Sequence, residues 1–110
     1  MEKDAEAAAQ DQMRAAQQKL TNAQVELTRA TKLLDVGLIS ASDFNQAKFA
    51  VEVLQAEAKG DTAEASRVRL RQAEAELSRS EALRRANVIS QSEYDEAVRK
   101  VASLRAGTGL

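Results

Sequence analysis

The chain has 110 residues, of which 30% are charged and 3% aromatic, and it contains no proline or cysteine. This composition is typical of long helices and coiled coils, and it excludes a thick globular core and a disulfide framework. With 16 basic and 17 acidic residues the net charge is −1, so we expect neither a nucleic-acid partner nor attraction to an anionic membrane.

The first predicted helix runs from about Ala5 to Val36. Its apolar residues recur at alternating spacings of three and four, which is the pattern of a coiled-coil seam. The seam residues are Met13, Ala16, Leu20, Ala23, Leu27, Ala30 and Leu34. Residues 1–12 precede the seam, and we expect them to fray or to need further sequence as a packing partner.

A sharp turn is predicted after this helix. Gly37 suits the positive φ of the residue that ends a helix in a Schellman turn. With Gly37 in that position, Leu33 and Leu38 form the apolar contact that accompanies such a turn. Ser40 then caps the next helix by accepting a backbone hydrogen bond. This stretch therefore predicts the tip of an antiparallel helical hairpin.

The second predicted helix runs from Ala41 to Lys59 and carries a seam that packs against the first helix. The seam residues are Phe44, Ala47, Val51, Leu54 and Ala58. A second apolar stripe lies off that seam, at Phe49, Val53 and Ala56. We expect this stripe to cover a third helix, because a hairpin of two helices would leave it exposed to water.

Two further helices are predicted after a break at Gly60, from Thr62 to Ala86 and from Ser92 to Ala106. Their seam residues are Ser66, Leu70, Ala73, Leu77 and Ser80, then Tyr94, Ala97, Val101 and Leu104. We predict an all-α fold of two tandem antiparallel hairpins in an up-down-up-down arrangement. The two predicted domains are residues 1–59 and residues 60–110. The alternative is one continuous helix over residues 41–86, which would place the tips at opposite ends.

The second hairpin repeats the first at a constant offset of 50 residues, so the chain is a tandem of one supersecondary unit. Asn87 replaces Gly37, and asparagine is the residue that tolerates a left-handed conformation best after glycine. Arg84 replaces Leu34 beside the second tip, and we therefore expect that tip to be looser.

Both tips carry the pattern Arg-x3-Leu-x6-Ser. The residues are Arg29, Leu33 and Ser40 in the first tip, and Arg79, Leu83 and Ser90 in the second. The leucines and serines have structural explanations, as turn contacts and helix caps. The arginines lie off the seam and have no acidic residue four positions later to pair with. They are candidates for docking a partner, and the alternative is an ordinary solvated arginine.

This pattern resembles the hairpin tip of periplasmic adaptor (membrane fusion) proteins, the AcrA, MacA and HlyD kind, and the surrounding L-L-x-x-G-x-I-S-x-x-D/E-[FY]-x-x-A is similar to that family as well. The resemblance implies a periplasmic hairpin that projects from the lipoyl and β-barrel domains of an inner-membrane-anchored adaptor and assembles as a hexamer. It also implies that these arginines, leucines and serines dock tip-to-tip onto a TolC-like outer-membrane channel in a tripartite efflux pump or type I secretion system. The inner-membrane transporter would be contacted through domains that this sequence does not contain.

The sequence offers no residues for catalysis. It has no histidine or cysteine, no glycine-rich phosphate loop and no metal-binding motif, so we expect neither enzyme activity nor a cofactor or metal. The alternative function is purely structural, as a self-associating coiled-coil bundle or an engineered tandem hairpin.

Overall fold

The computed structural model describes the backbone of residues 2–108 and the side chains of residues 4–107. The helices are α1 (Glu2–Asp35), α2 (Ala41–Ala58), α3 (Thr62–Arg85) and α4 (Gln91–Thr108). Residues 2–108 contain no β-strand, and the predicted all-α fold is confirmed. The chain forms two compact units that divide between Ala65 and Ser66. The predicted domain boundary between residues 59 and 60 stays a prediction.

The first hairpin consists of α1 packed against α2. Their predicted seams are buried or half-buried from Ala16 onward, with Ala30 and Val51 the most covered residues. The prediction is wrong for Met13, whose exposure is 65%. The reason is length: α1 has 34 residues and α2 has 18, so α2 ends before it reaches the start of α1. The backbone is helical from Glu2, and the expectation that this end frays or needs a packing partner stays a prediction.

The second hairpin consists of α3 packed against α4. Its core is formed by the residues predicted for the two seams: Leu70, Ala73 and Val101, with Leu77 and Leu104 packed against them. Two ion pairs join the helices at the surface. Lys100 Nζ lies 3.4 Å from Glu76 Oε2, and Arg105 Nη2 lies 3.9 Å from Glu74 Oε1. These contacts confirm the antiparallel pairing of α3 with α4.

Burial is not restricted to the predicted seams. In α2, Ala56 is buried while Phe49 and Val53 are half-buried, as expected for a second covered stripe. In α3, Ala65 and Val68 are each only 1% exposed, although neither belongs to the predicted seam. The sequence analysis assigned no second apolar stripe to α3 because a single Ala–Val pair at a spacing of three is too short to show a period.

The chain turns sharply between α2 and α3. Gly60 has a φ of 73°. Its N–H donates to the Glu57 carbonyl at 3.0 Å, and the Asp61 N–H donates to the Ala56 carbonyl at 2.9 Å, which is the hydrogen-bond pattern of a Schellman turn. Asp61 Oδ1 then accepts from the Glu64 N–H at 3.0 Å and caps α3. The predicted break is confirmed, and the alternative of one continuous helix over residues 41–86 is wrong.

Candidate functional site: the two hairpin tips

The turn of the first tip comprises residues 36–40, between α1 and α2. Gly37 has a φ of 75°. The Gly37 N–H donates to the Leu34 carbonyl at 3.0 Å, and the Leu38 N–H donates to the Leu33 carbonyl at 2.8 Å. This is the predicted Schellman turn, which satisfies carbonyls at the end of α1 that lack helical partners. α1 ends at Asp35, and the backbone has left the helical conformation at Gly37, two residues later.

Ser40 begins the return helix. Its backbone is extended, with φ −79° and ψ 159°, and its side chain accepts from the Asp43 N–H at 3.1 Å. This bond satisfies one of the unpaired donors at the start of α2 and confirms the predicted N-cap. The residue remains exposed, so the capping hydroxyl is also accessible to a partner.

The turn of the second tip comprises residues 86–90, between α3 and α4, and it repeats the turn of the first. Asn87 has a φ of 60° and is the one residue other than glycine with positive φ in the described part of the chain. The Asn87 N–H donates to the Arg84 carbonyl at 2.9 Å, and the Val88 N–H donates to the Leu83 carbonyl at 2.8 Å. Asparagine therefore closes the same Schellman turn that glycine closes in the first tip.

Ser90 caps α4 as Ser40 caps α2. Its Oγ accepts from the Glu93 N–H at 3.1 Å. In addition, the Ser90 hydroxyl lies 3.4 Å from Glu93 Oε1 and donates to it. Glu93 is thus placed in the first turn of α4, where a negative charge is favoured by the helix dipole.

The two candidate arginines differ in their partners. Both are exposed, but Arg29 Nη1 lies 3.0 Å from Glu26 Oε1. The matching acid of the second hairpin, Glu76, pairs instead with Lys100, which replaces Ala50 of the first hairpin. Within residues 4–107, Arg79 therefore has no ion-pair partner. The Arg29–Glu26 pair was not predicted from the sequence, because only acids four positions after each arginine were expected to pair with it. Glu26 lies three positions before Arg29.

The exposed apolar side chains at the tips are the other feature that sequence reasoning missed. Leu33 and Leu83 are half-buried, as their role in the turn requires. Leu38, predicted to form an apolar contact with Leu33, is 72% exposed, and its counterpart Val88 is 67% exposed. The Schellman hydrogen bonds form without covering these side chains. Each tip therefore presents an apolar side chain to solvent next to its turn.

Arg84 takes part in the second tip through an aromatic contact. Its Cζ lies 4.8 Å from the centre of the Tyr94 ring, within the range of a cation–π interaction. We expected a looser tip because arginine replaces Leu34 here. This contact gives the guanidinium a partner across the hairpin, worth about 0.5 to 1 kcal/mol at an exposed site, and the looser tip stays a prediction.

The described residues contain no group of three or more side chains suited to holding a metal ion. Over the same part of the chain, no helix combines the length and apolar character needed to cross a membrane. The tips provide hydrogen-bond donors, apolar side chains and exposed charge, which are the means of binding a partner.

The family comparison agrees with this geometry. A family model described as the α-helical hairpin domain of RND membrane fusion proteins matches residues 5–67, more than half of the chain. The chain belongs to this membrane fusion protein family. No curated protein and no solved structure matches it. Membrane fusion proteins are adaptors without catalytic activity, and they act between an inner-membrane transporter and an outer-membrane channel.

The matched segment contains the first hairpin from residue 5 onward and the start of α3. Arg29, Leu33 and Ser40 lie inside it. Their counterparts in the second hairpin lie outside it and are connected to the membrane fusion protein hairpin through the internal repeat. The repeat is structural as well as sequential, because both tips have the same turn hydrogen bonds and the same serine cap.

Proposed function

We propose that the chain is the channel-docking part of a periplasmic adaptor in a tripartite efflux pump or type I secretion system. Its tips dock end to end onto a TolC-like outer-membrane channel, while other domains of the adaptor contact the inner-membrane transporter. The adaptor works as a homo-oligomer, a hexamer by resemblance to its family. The observation that carries this proposal is the double occurrence of one tip geometry with an exposed arginine at the same position.

The tips suit a partner that ends in exposed helix termini. Arg29 and Arg79 each present a guanidinium, whose fork-shaped set of donors matches carboxylates and backbone carbonyls. The half-buried Leu33 and Leu83 add small apolar contacts. The serine hydroxyls contribute by exchanging a cap bond, worth about 1 kcal/mol, for a bond to the partner. Each contact is weak, so firm docking depends on several copies acting together.

The proposal is tested by capture of a detergent-solubilised TolC-like channel on the immobilised chain. The test variant is the double substitution Arg29→Asp, Arg79→Asp. The matched control is Arg14→Asp, Arg69→Asp, which makes the same change of charge at exposed arginines that lie 23 residues before Gly37 and 18 residues before Asn87. We expect the tip variant to lose capture by about tenfold or more, as for charge reversal within an interface, while the control retains it.

Circular dichroism checks that all three proteins are equally helical. Equal capture by the tip variant and the control would contradict docking through the tips. A wild-type chain that fails to capture the channel would also contradict it, and would favour a self-associating helical scaffold.

A further inference from the structure

We infer that the two tips bind by different chemistry. The first tip contacts the channel mainly through the apolar side chains of Val36 and Leu38, and the second mainly through the guanidinium groups of Arg79 and Arg85. This inference rests on the proposed function and assigns a partner chemistry to each tip. The first requires an apolar patch, and the second requires carboxylates or unpaired carbonyls at an exposed helix end.

The first tip is apolar and electrically balanced. Val36 and Leu38 are 68% and 72% exposed and lie on either side of Gly37 in the chain, so the turn presents two apolar side chains to solvent. The stretch from Arg29 to Phe44 contains two basic and two acidic residues. Moreover, the guanidinium of Arg29 is already paired with Glu26, and a partner has to compete with that carboxylate.

The second tip has less apolar surface and more positive charge. Ala86 replaces Val36, and the smaller Val88 replaces Leu38. Arg85 replaces Asp35 at the last residue of the helix, which reverses the charge at that position. The stretch from Arg79 to Tyr94 contains three basic and two acidic residues.

The cations of the second tip are also available. Arg79 and Arg85 are exposed, and neither has an ion-pair partner among the described residues. Arg84 is exposed as well, but its guanidinium lies over the Tyr94 ring. Glu76, which would pair with Arg79 as Glu26 pairs with Arg29, is engaged by Lys100 instead.

Salt separates the two chemistries. Attraction between exposed charges is screened within about 10 Å at 0.1 M salt, whereas burial of apolar surface is not weakened by added salt. A contact made by the second tip should therefore weaken as salt is added, and a contact made by the first should not. The prior pairing of Arg29 should make it contribute less than Arg79 at low salt, where the charges act most strongly.

The experiment measures the affinity of the whole chain for a detergent-solubilised TolC-like channel at about 50 mM and about 400 mM NaCl. Four variants occupy matched positions: Leu38→Ser, Val88→Ser, Arg29→Gln and Arg79→Gln. We expect Leu38→Ser to weaken binding about fivefold at both salt concentrations and Val88→Ser less than about twofold. Arg79→Gln should weaken it about fivefold at low salt and little at high salt, and Arg29→Gln less than about twofold.

A fifth variant, Glu26→Gln, releases Arg29 from its ion pair. In that background, Arg29→Gln should weaken binding about as much as Arg79→Gln does in the wild type, and this outcome would support the inference. Equal losses from Arg29→Gln and Arg79→Gln in the wild type, or a Leu38→Ser loss that disappears at high salt, would overturn the inference and leave the proposed function standing. Absence of binding by the wild-type chain would overturn both.

Discussion

Three residues with positive φ, Gly37, Gly60 and Asn87, each lie two positions after the end of a helix. The left-handed conformation costs residues with a Cβ atom about 1 to 2 kcal/mol, and asparagine less than most because its side chain hydrogen-bonds locally. The two tips therefore form the same turn, but the left-handed conformation costs more free energy at Asn87 than at Gly37.

Substitution at these positions tests that account. Gly37→Ala should lower the free energy of unfolding by about 1 kcal/mol, because a Cβ at Gly37 meets no atom within 4 Å and only the backbone conformation opposes it. Asn87→Gly should leave the stability unchanged or raise it by less than about 0.5 kcal/mol. Urea denaturation followed by circular dichroism measures both.

Gly107→Ala is the control, since this glycine also has open space around it but no positive φ. It should not destabilise the chain. A loss from Gly107→Ala as large as that from Gly37→Ala would contradict the assignment of the cost to the left-handed backbone.

Single residues also mark the limit of what the sequence predicts. The turns at Gly37 and Asn87 and the caps at Ser40 and Ser90 were predictable because their signals are local: a residue type and its spacing determine the hydrogen bonds. The exposure of Leu38 was not predictable in this way, because the backbone bond of a Schellman turn does not determine where the side chain of its last residue lies.

The ion pair between Arg29 and Glu26 was also not predicted from the sequence. The acid three positions earlier is visible in the sequence, but so is Glu76 before Arg79, and only Arg29 forms the pair. The difference comes from Lys100, which lies across the hairpin and 24 residues along the chain from Glu76. Tertiary structure thus decides between two sites that the local sequence presents as equal.

For the helices, the seam residues were predictable from the sequence, whereas the second buried stripes were predictable only in part. Alternating spacings of three and four identified Leu70, Ala73 and Val101, which form the core of the second hairpin. The same reasoning overlooked Val68, although it is the largest side chain that is less than 2% exposed. Because Arg67 and Arg69 flank Val68, the sequence of this stretch resembles the solvent-exposed face of a helix.

Val68 should therefore matter more to stability than its place in the sequence indicates. Val68→Ala should lower the free energy of unfolding by about 1.5 to 2.5 kcal/mol, from the lost methyl groups and the cavity they leave. The matched control is Val98→Ala in α4, where valine is 39% exposed and the loss should stay below about 0.5 kcal/mol. Similar losses from the two variants in urea denaturation would contradict the importance of burial at Val68.

For the whole molecule, the sequence predicted the fold class and the tandem of hairpins because few architectures suit a chain of alanine-rich helices with repeated turns. The family match over residues 5–67 includes the first turn, and docking onto a channel is our proposal for its exposed polar and apolar residues. The second turn has the same backbone hydrogen bonds and the same serine cap as the first, but different side chains surround it. A self-associating scaffold would need the seams and the caps, but it would not need exposed side chains such as Leu38 and Val88 at both turns.

Site-specific photo-crosslinking to the channel tests the docking of the tips most directly. A photoreactive amino acid is placed at position 38 or 88, at the tips, or at position 13, where Met13 is 65% exposed but lies more than 20 residues before the first tip. With a detergent-solubilised TolC-like channel, our account predicts adducts from positions 38 and 88, mapped by mass spectrometry to the periplasmic end of the channel, and none from position 13. Equal labelling from all three positions, or labelling from position 13 alone, would contradict it.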